Sequence, residues 1–315
     1  MKMFRVVQSK LYGAAYRIPR LRRVLGHIRL VLWTTYSTTH WGAHVLVTRL
    51  APRWRTVIDA LVTQKPLIVY LIRPGDGFEA FRRFVDSYRR FPEPLDHDLL
   101  VIFKGFISRC QHAPYYEGLA GLRFLEMEQI DFGQDIGSFH LALRRFAYSH
   151  YLFLGAHCEI LVEGYLTKMM KCLNTCPRAG LVGPGGAYTS LRVLLSPPFP
   201  NYAIRTNAFL AGRDVLLEVR WPVVLCKPDA WAFEYGWCSL TRQVLDMGLE
   251  PYVVTADGSC LAKERWLESR TFWHSDQANL LIGDKRTDLF RHADPSERLR
   301  LAVLAWGERG REVYR

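Results

Sequence analysis

Between residues 66 and 290 the apolar positions fall into short runs that alternate with segments of helical spacing. Leu67 to Ile72 is a continuous apolar run, the pattern of a strand buried on both faces. Arg73-Pro74-Gly75-Asp76-Gly77 follows as turn chemistry, and Phe78, Phe81, Phe84, Val85 and Tyr88 then recur at helical intervals. Leu99 to Phe103 and Leu122 to Met127 predict a second and third strand, and Tyr151 to Leu154 a central one. Strand, helix, strand, helix, strand predicts an α/β fold, doubly wound, with a mostly parallel sheet flanked by helices.

The second half continues the pattern. Glu163 to Cys176 has helical composition ended by Pro177, and Ala179 to Gly186 reads as a buried strand running into a glycine-rich turn. Such a turn lets backbone approach a ligand, or it turns a corner. Residues 188 to 200, with Pro197, Pro198 and Pro200, predict a loop over the site. Asn201 to Leu210 alternates polar and apolar, which predicts one strand with Arg205 and Asn207 pointing the same way. Arg213 to Val219 reads as a helix, Trp231 to Gln243 leads into another that ends at Gly248, and Pro251 to Thr255 is a further strand. The expected organisation is a basic helical extension over 1–65, an α/β domain over 66–290, and a C-terminal amphipathic helix within 291–315.

The extension carries most of the net charge. Residues 1 to 60 hold eleven Lys or Arg against one acid, Asp59, while the remaining residues carry 31 basic and 29 acidic groups. Ile18, Leu21, Leu25, Ile28 and Leu32 recur at spacings of three and four with arginines around them. Two readings fit: a basic amphipathic helix on an anionic membrane surface through residues 1–35, or a stripe packed on the α/β domain with solvated arginines. No run is long enough to span a bilayer and no signal-type apolar region follows the first charges, so the expected location is cytoplasmic, peripheral at the inner face of the membrane. A nucleic-acid partner is disfavoured, because no reader module or aromatic stacking pattern accompanies the charge.

Composition adds little beyond this: 49% hydrophobic and 23% charged residues are ordinary for a globular protein. Seven cysteines, an odd number without a repeated spacing, point to reduced thiols in place of a disulfide framework. Cys172 and Cys176 are one helical turn apart, a spacing read as packing. No Gly-x-Ser-x-Gly elbow, His-Glu-x-x-His helix or phosphate-gripping Gly-rich loop occurs, so hydrolase, metalloprotease and P-loop chemistry have no anchor. A dinucleotide site is disfavoured because Gly-x-Gly-x-x-Gly does not follow the first strand.

Small and polar groups, Gly155, Ala156, His157 and Cys158, follow the central strand, where open α/β sheets place their ligand crevice. The run Tyr151-Leu152-Phe153-Leu154 resembles the nucleotide-sugar glycosyltransferases of the A-type fold, especially the inverting family 2, whose strand reads Tyr-hydrophobic-hydrophobic-Phe-Leu-Asp-x-Asp. The two metal-binding aspartates of that motif fall on Gly155 and His157, so the chain departs from the family at its metal motif. The resemblance implies that Arg73 and Asp76 lie near the nucleotide base and that Asp131 or Asp135 lies near the nucleotide or ribose. It also implies that Gly155 and Ala156 face the diphosphate, and that Glu234 is the base that deprotonates the acceptor hydroxyl.

Arg205 and Asn207 make a plausible comb for hydroxyls or phosphates. His157 and His274 are the potential metal ligands, with Glu159 as a further oxygen, in a set suited to Mn or a similar ion more than to Mg. Alternatively Arg205, Arg242 and Lys285 or Arg286 carry the diphosphate charge without metal. Each position has a structural alternative: Arg73 and Asp135 as helix or turn caps, Glu234 as a surface cap, His274 as a packed side chain.

The function that follows is transfer of a sugar from a nucleotide-sugar donor to a glycan or lipid-linked acceptor in cell-surface polysaccharide or glycolipid synthesis of a bacterial type. The competing reading is a protein of the same fold that binds or scaffolds without catalysis. Deletion of residues 1–35 is expected to abolish co-sedimentation with anionic liposomes, and unchanged binding removes the extension as an anchor.

Overall fold

The computed structural model describes residues 61–189 and 197–312. The stripe of the basic extension therefore lies outside the described residues, as does the middle of the 188–200 loop.

All six residues of the first strand, β1 (Leu67–Ile72), are buried, as a strand covered on both faces requires. It leads through a short turn into α1 (Phe78–Arg90), and then come β2 (Asp98–Lys104), α2 (Ala113–Leu119), β3 (Leu125–Gln129), α3 (Gln134–Arg145) and β4 (His150–Leu154). The middle of the chain holds β5 (Glu159–Ile160), α4 (Tyr165–Thr175), β6 (Ala179–Gly183), β7 (Gly186–Ala187), β8 (Ala203–Ile204) and β9 (Ala208–Gly212). Helices α5 (Arg213–Glu218), α6 (Lys227–Tyr235) and α7 (Leu240–Asp246) precede β10 (Glu250–Val254) and β11 (Cys260–Ala262). The chain ends with β12 (Ile282–Gly283), α8 (Lys285–His292), α9 (Pro295–Trp306) and α10 (Arg309–Glu312).

Eight strands form one sheet in the order β11-β10-β6-β9-β4-β1-β2-β3. Strand β1 pairs in parallel with β2 and β4, β2 with β3, and β6 with β10, while β9 and β11 run antiparallel to their neighbours. The sheet is thus mostly parallel and flanked by helices, as the alternation of elements implied. Side chains of β1 alternate between two cores. Leu67, Val69 and Leu71 join Phe139 of α3, Phe233 of α6, Val244 of α7 and Trp306 of α9. Ile68, Tyr70 and Ile72 join Phe84 of α1, Leu119 of α2 and Met169 of α4. Helices therefore cover both faces, and the polar groups of the loops collect at the strand ends.

Three expectations need correction. The third strand begins at Leu125, after α2 and a turn, and not at Leu122. Asn201 to Leu210 is not one strand: β8 and β9 are separated by a turn at Arg205-Thr206-Asn207, closed by the Ala208 N–H donating to the Arg205 carbonyl at 3.4 Å. Alternation survived because β8 is fully buried and β9 nearly so, although β9 lies inside the sheet between β4 and β6 and not at an edge. The glycine-rich turn, finally, is a packing device. A Cβ on Gly186 would stand 2.7 Å from Cε3 of the buried Trp266 and 3.0 Å from Cγ2 of Val253.

The C-terminal helix is integral to this arrangement. Its Ala305 carbonyl accepts the Tyr188 N–H at 2.9 Å, and the buried Trp306 indole donates to the Phe272 carbonyl at 3.0 Å. Gly186→Ala is expected to destabilise the protein by about 1–3 kcal/mol through overpacking against Trp266, read as a lower midpoint in denaturant at unchanged slope.

Candidate active site

The loop after β4 is fixed from both sides. The Tyr70 hydroxyl donates to the Ala156 carbonyl at 2.9 Å, and the Asn207 carbonyl accepts the Gly155 N–H at 2.8 Å and the Cys158 thiol at 3.1 Å. The turn between β8 and β9 is thereby docked on the loop that carries Gly155 to Cys158. Both border a cavity of about 520 Å³ at this end of the sheet.

Sequence-distant segments meet in its wall. Arg73, Asp76, Asp135, Gly155, Ala156, His157, Arg205, Asn207 and Glu234, all singled out from the sequence, line it together with Lys285 and Arg286. Asp131, Arg242 and His274 do not. Asp131 lies 3.7 Å from Arg73 but points mainly to solvent, and Arg242 stacks over the Trp237 ring at 4.8 Å. His274 is buried, accepts or donates at 2.9 Å to the Ser275 hydroxyl, and burial pulls its pKa down to about 4. Glu159 is taken up by an ion pair with Arg83, which also binds Asp288 at 2.7 Å, so it fastens α1 to β5 and α8 outside the cavity.

Arg73 sits among three carboxylates. Its guanidinium lies 3.4 Å from Asp135 and 3.7 Å from both Asp76 and Asp131. Asp135 is not a cap: Gly133 holds the N-cap position of α3 and no side chain caps it. Burial pushes the Asp135 carboxyl up against the pull of Arg73 and Lys104. For Asp76, burial also opposes ionisation, but the His157 hydrogen bond at 3.3 Å and the Arg73 charge outweigh it, and its carboxyl is held below the ordinary value.

Lys104, buried beneath this loop, donates to the Phe132 carbonyl at 2.8 Å, to the Gln134 carbonyl, and to Ser138 Oγ at 3.1 Å. It positions the segment from which Asp135 projects, and burial draws its pKa down to about 8.

Glu234 is no surface cap. It lies in the last turn of α6, is 8% exposed, and forms an ion pair with Arg205. The Arg205 guanidinium is also held over Phe272 at 4.4 Å and Tyr235 at 5.6 Å. Burial pushes the Glu234 carboxyl up, while Arg205 and hydrogen bonds from Thr206 draw it back. Two polar atoms here, Arg205 Nε and Asn207 Oδ1, are buried with no hydrogen-bond partner in the structure. Buried polar groups are rarely left so, and both atoms belong to side chains that line the cavity.

Helix α6 was missed as an element. The sequence suggested that Trp231 leads into a helix, whereas Lys227–Tyr235 is itself helical, and Lys227, Ala230, Trp231, Glu234 and Tyr235 line the cavity at intervals of three and four. That periodicity was the available signal, and it would have added Lys227 and Trp231 to the site. Three helix N-termini, of α3 at Gln134, α6 at Lys227 and α8 at Lys285, reach the cavity beside Arg73, Lys227, Lys285 and Arg286, and the last is capped by the Asp284 carboxylate, which also lines the cavity.

Among the described residues no three donor side chains of the lining lie close enough together to share an ion, and Asp284, also in the lining, caps α8. Gly155 and Ala156 offer no side-chain ligand, His157 is turned to Asp76, and Arg73 already engages Asp76 and Asp135. Two groups of side chains among the described residues could hold a metal ion, Cys172 with Cys176 and Cys260, and His112 with Glu126 and Glu128. Neither group lines the cavity.

No model of a known protein family matches the chain, and no curated protein matches it. Among solved structures it is similar to the mannosyltransferase PcManGT from Pyrobaculum calidifontis in complex with GDP-Man and Mn2+. That likeness has a TM-score of 0.43 and 13% identity over 75% of this chain and 70% of that one. A second is GalNAc-T7 with UDP, GalNAc and Mn2+, at a TM-score of 0.42 and 14% identity over 60% and 42% of the two chains. A third is 4-diphosphocytidyl-2C-methyl-D-erythritol synthase from Anaerococcus prevotii, at 0.41 and 11% over 61% and 88%.

Because its folded value is raised, Glu234 contributes stability that is present at acid pH and lost as pH rises through that value. Arg205→Gln removes the largest influence holding the carboxyl down, so its titration is expected to move further up, read by carbon NMR of labelled glutamate carboxyls.

Proposed function

We propose that the protein transfers a sugar from a nucleotide-sugar donor to a hydroxyl acceptor, with inversion, by a single in-line displacement. One observation carries this reading: a cavity lined by five Lys and Arg side chains and reached by three helix N-termini also contains a buried carboxylate, Glu234, paired with one of the five, Arg205. A donor diphosphate needs the first feature and an acceptor hydroxyl the second.

In this reading Lys227, Lys285, Arg286 and Arg73 take up the charge that builds on the departing nucleoside diphosphate. Lys285 and Arg286 line the cavity beside Asp284, and the Lys285 charge also bears on the Asp76 and Asp135 carboxyls. Preorganised cations in a site of low dielectric stabilise developing charge without reorganising. Gly155 and Ala156 let the diphosphate approach the backbone, Trp231 supplies an aromatic face for a sugar, and Asn207 Oδ1 accepts from a hydroxyl. Glu234 receives the acceptor proton as the oxygen attacks the anomeric carbon and the bond to the diphosphate breaks. Its raised pKa makes it a stronger base than an ordinary carboxylate, and Arg205 keeps it ionised and aimed.

We assign the charge on the diphosphate to the chain's own cations in place of Mn or Mg. The acceptor is a glycan or lipid-linked hydroxyl, and residues 1–35 hold the protein at an anionic, cytoplasmic membrane face. Among the described residues no helix is long and apolar enough to cross a membrane, and the surface attachment rests on the charge of the extension.

A panel of UDP-, GDP- and dTDP-sugars is expected to raise the melting temperature for at least one nucleotide, with or without EDTA. Silence across the panel favours the scaffold reading, for which Gly155 at the first aspartate position speaks, and loss of the shift in EDTA overturns the metal-free assignment. Glu234→Gln is expected to lower turnover by roughly 10²–10⁴-fold while nucleotide binding persists; retained turnover removes Glu234 from the mechanism. Lys285→Gln combined with Arg286→Gln is expected to weaken donor binding, measured by calorimetry, without changing the unfolding midpoint of the free protein.

A further inference from the structure

Outside the cavity lining, three thiols come together that are separated in sequence. Cys172 and Cys176 lie one turn apart at the C-terminal end of α4, and Cys260 stands on β11, the antiparallel strand at the edge of the sheet. The sulfurs all lie within 4.8 Å of one another, with Cys172 buried and the other two half-buried. None of the three is in a disulfide. The sequence spacing of four residues alone was ambiguous, since it is shared by helix packing; what changes the reading is the third sulfur, delivered by an element some eighty positions later.

The geometry is that of a ligand set. Two sulfurs each about 2.3 Å from a tetrahedral zinc ion stand about 3.8 Å apart. Cys172 Sγ and Cys176 Sγ are 3.8 Å apart. Cys260 Sγ, delivered from the sheet, lies within 4.8 Å of both, and its thiol donates to the Gly258 carbonyl at 3.7 Å. Packing alone asks only that thiols fill space, and it does not require three sulfurs to converge on one centre. Thiolates select soft closed-shell ions over Mg or Ca, so the class of ligand follows from the donors.

We propose that Cys172, Cys176 and Cys260 bind one thiophilic cation, zinc or a similar closed-shell ion, as a clip that fastens the edge strand β11 to α4. Three protein ligands leave a fourth position to water or another donor. The site is independent of sugar transfer: it lies outside the cavity, and its occupancy bears on the stability of this edge of the sheet. A covered edge is also one less able to pair with another chain.

The test is titration of the reduced, full-length protein with Co2+ as a spectroscopic stand-in for zinc, followed by displacement with Zn2+. The expected result is one equivalent bound with a sulfur-to-cobalt charge-transfer band that zinc abolishes, and a rise in melting temperature on adding zinc. Cys176→Ser and Cys260→Ser, both at half-buried positions, are each expected to weaken binding at least tenfold, whereas Cys110→Ser leaves it unchanged. Far-UV circular dichroism checks that each variant is folded, and two variants guard against the failure of one. The proposal is overturned by absence of the band in the wild-type protein, or by its persistence in both variants. It is overturned equally by an intramolecular disulfide among the three that forms in air while the reduced protein refuses zinc.

Discussion

A sheet covered on both faces confines polar chemistry to its ends. Strand β1 buries all six of its side chains, three into each core, so any charged group placed along its length would be stranded without water. The turn residues that follow it, and those that follow β4 and precede β9, are the first positions where such groups can be tolerated. Arg73, Asp76, Gly155, His157, Arg205 and Asn207 all occupy those turns. The site is thus a consequence of how thoroughly the strands are buried.

Within that site the charges are arranged against their own solvation. A buried ion pair such as Arg205 with Glu234 costs several kcal/mol in desolvation, and its mutual attraction repays this only when further hydrogen bonds complete it. Here they do not fully, since Arg205 Nε lacks a partner. The aromatic rings of Phe272 and Tyr235 hold the guanidinium in place, so the pair is kept by packing more than by electrostatic optimality. Groups held in this way cost stability and retain unspent hydrogen-bonding capacity, which a polar ligand can use. Lys104 is the opposite case: its three donors are all taken by the 132–138 segment, and those contacts hold Asp135 where Arg73 can meet it.

Much of this was legible in the sequence, and the boundary is physical. Strands β1, β2, β4, β6 and β10 announce themselves because a doubly covered strand must be continuously apolar, and their ends were placed within a residue or two. Nine of the positions proposed from the sequence share one cavity, because strand ends and the helix starts after them converge in such a sheet. What failed was periodicity in short segments. Arg205 to Asn207 preserved a two-residue alternation across a turn, and in α6, nine residues long, three aromatics at every second position (Trp231, Phe233 and Tyr235) obscured the helical spacing of the cavity-lining residues. Order along the chain also could not reveal that His274 turns into the Trp306 region, or that Cys260 returns to Cys172. Those are tertiary facts, fixed by which elements the sheet order makes neighbours.

The departure at Gly155 then makes sense together with Arg73. A Cβ at position 155 would stand 3.5 Å from Asp135 Oδ2 and 3.5 Å from the Asn207 carbonyl oxygen, which is ordinary contact, so space alone does not demand glycine. A carboxylate projecting from that Cβ would instead face Asp135 and a backbone oxygen at short range, and like charges so placed cannot both ionise without a cation between them. Here the carboxylate at 155 is absent, and Asp135, coming from α3, is neutralised by a guanidinium 3.4 Å away. A carboxylate at 155 would therefore crowd a corner whose fixed guanidinium, Arg73, is already shared by Asp76, Asp131 and Asp135.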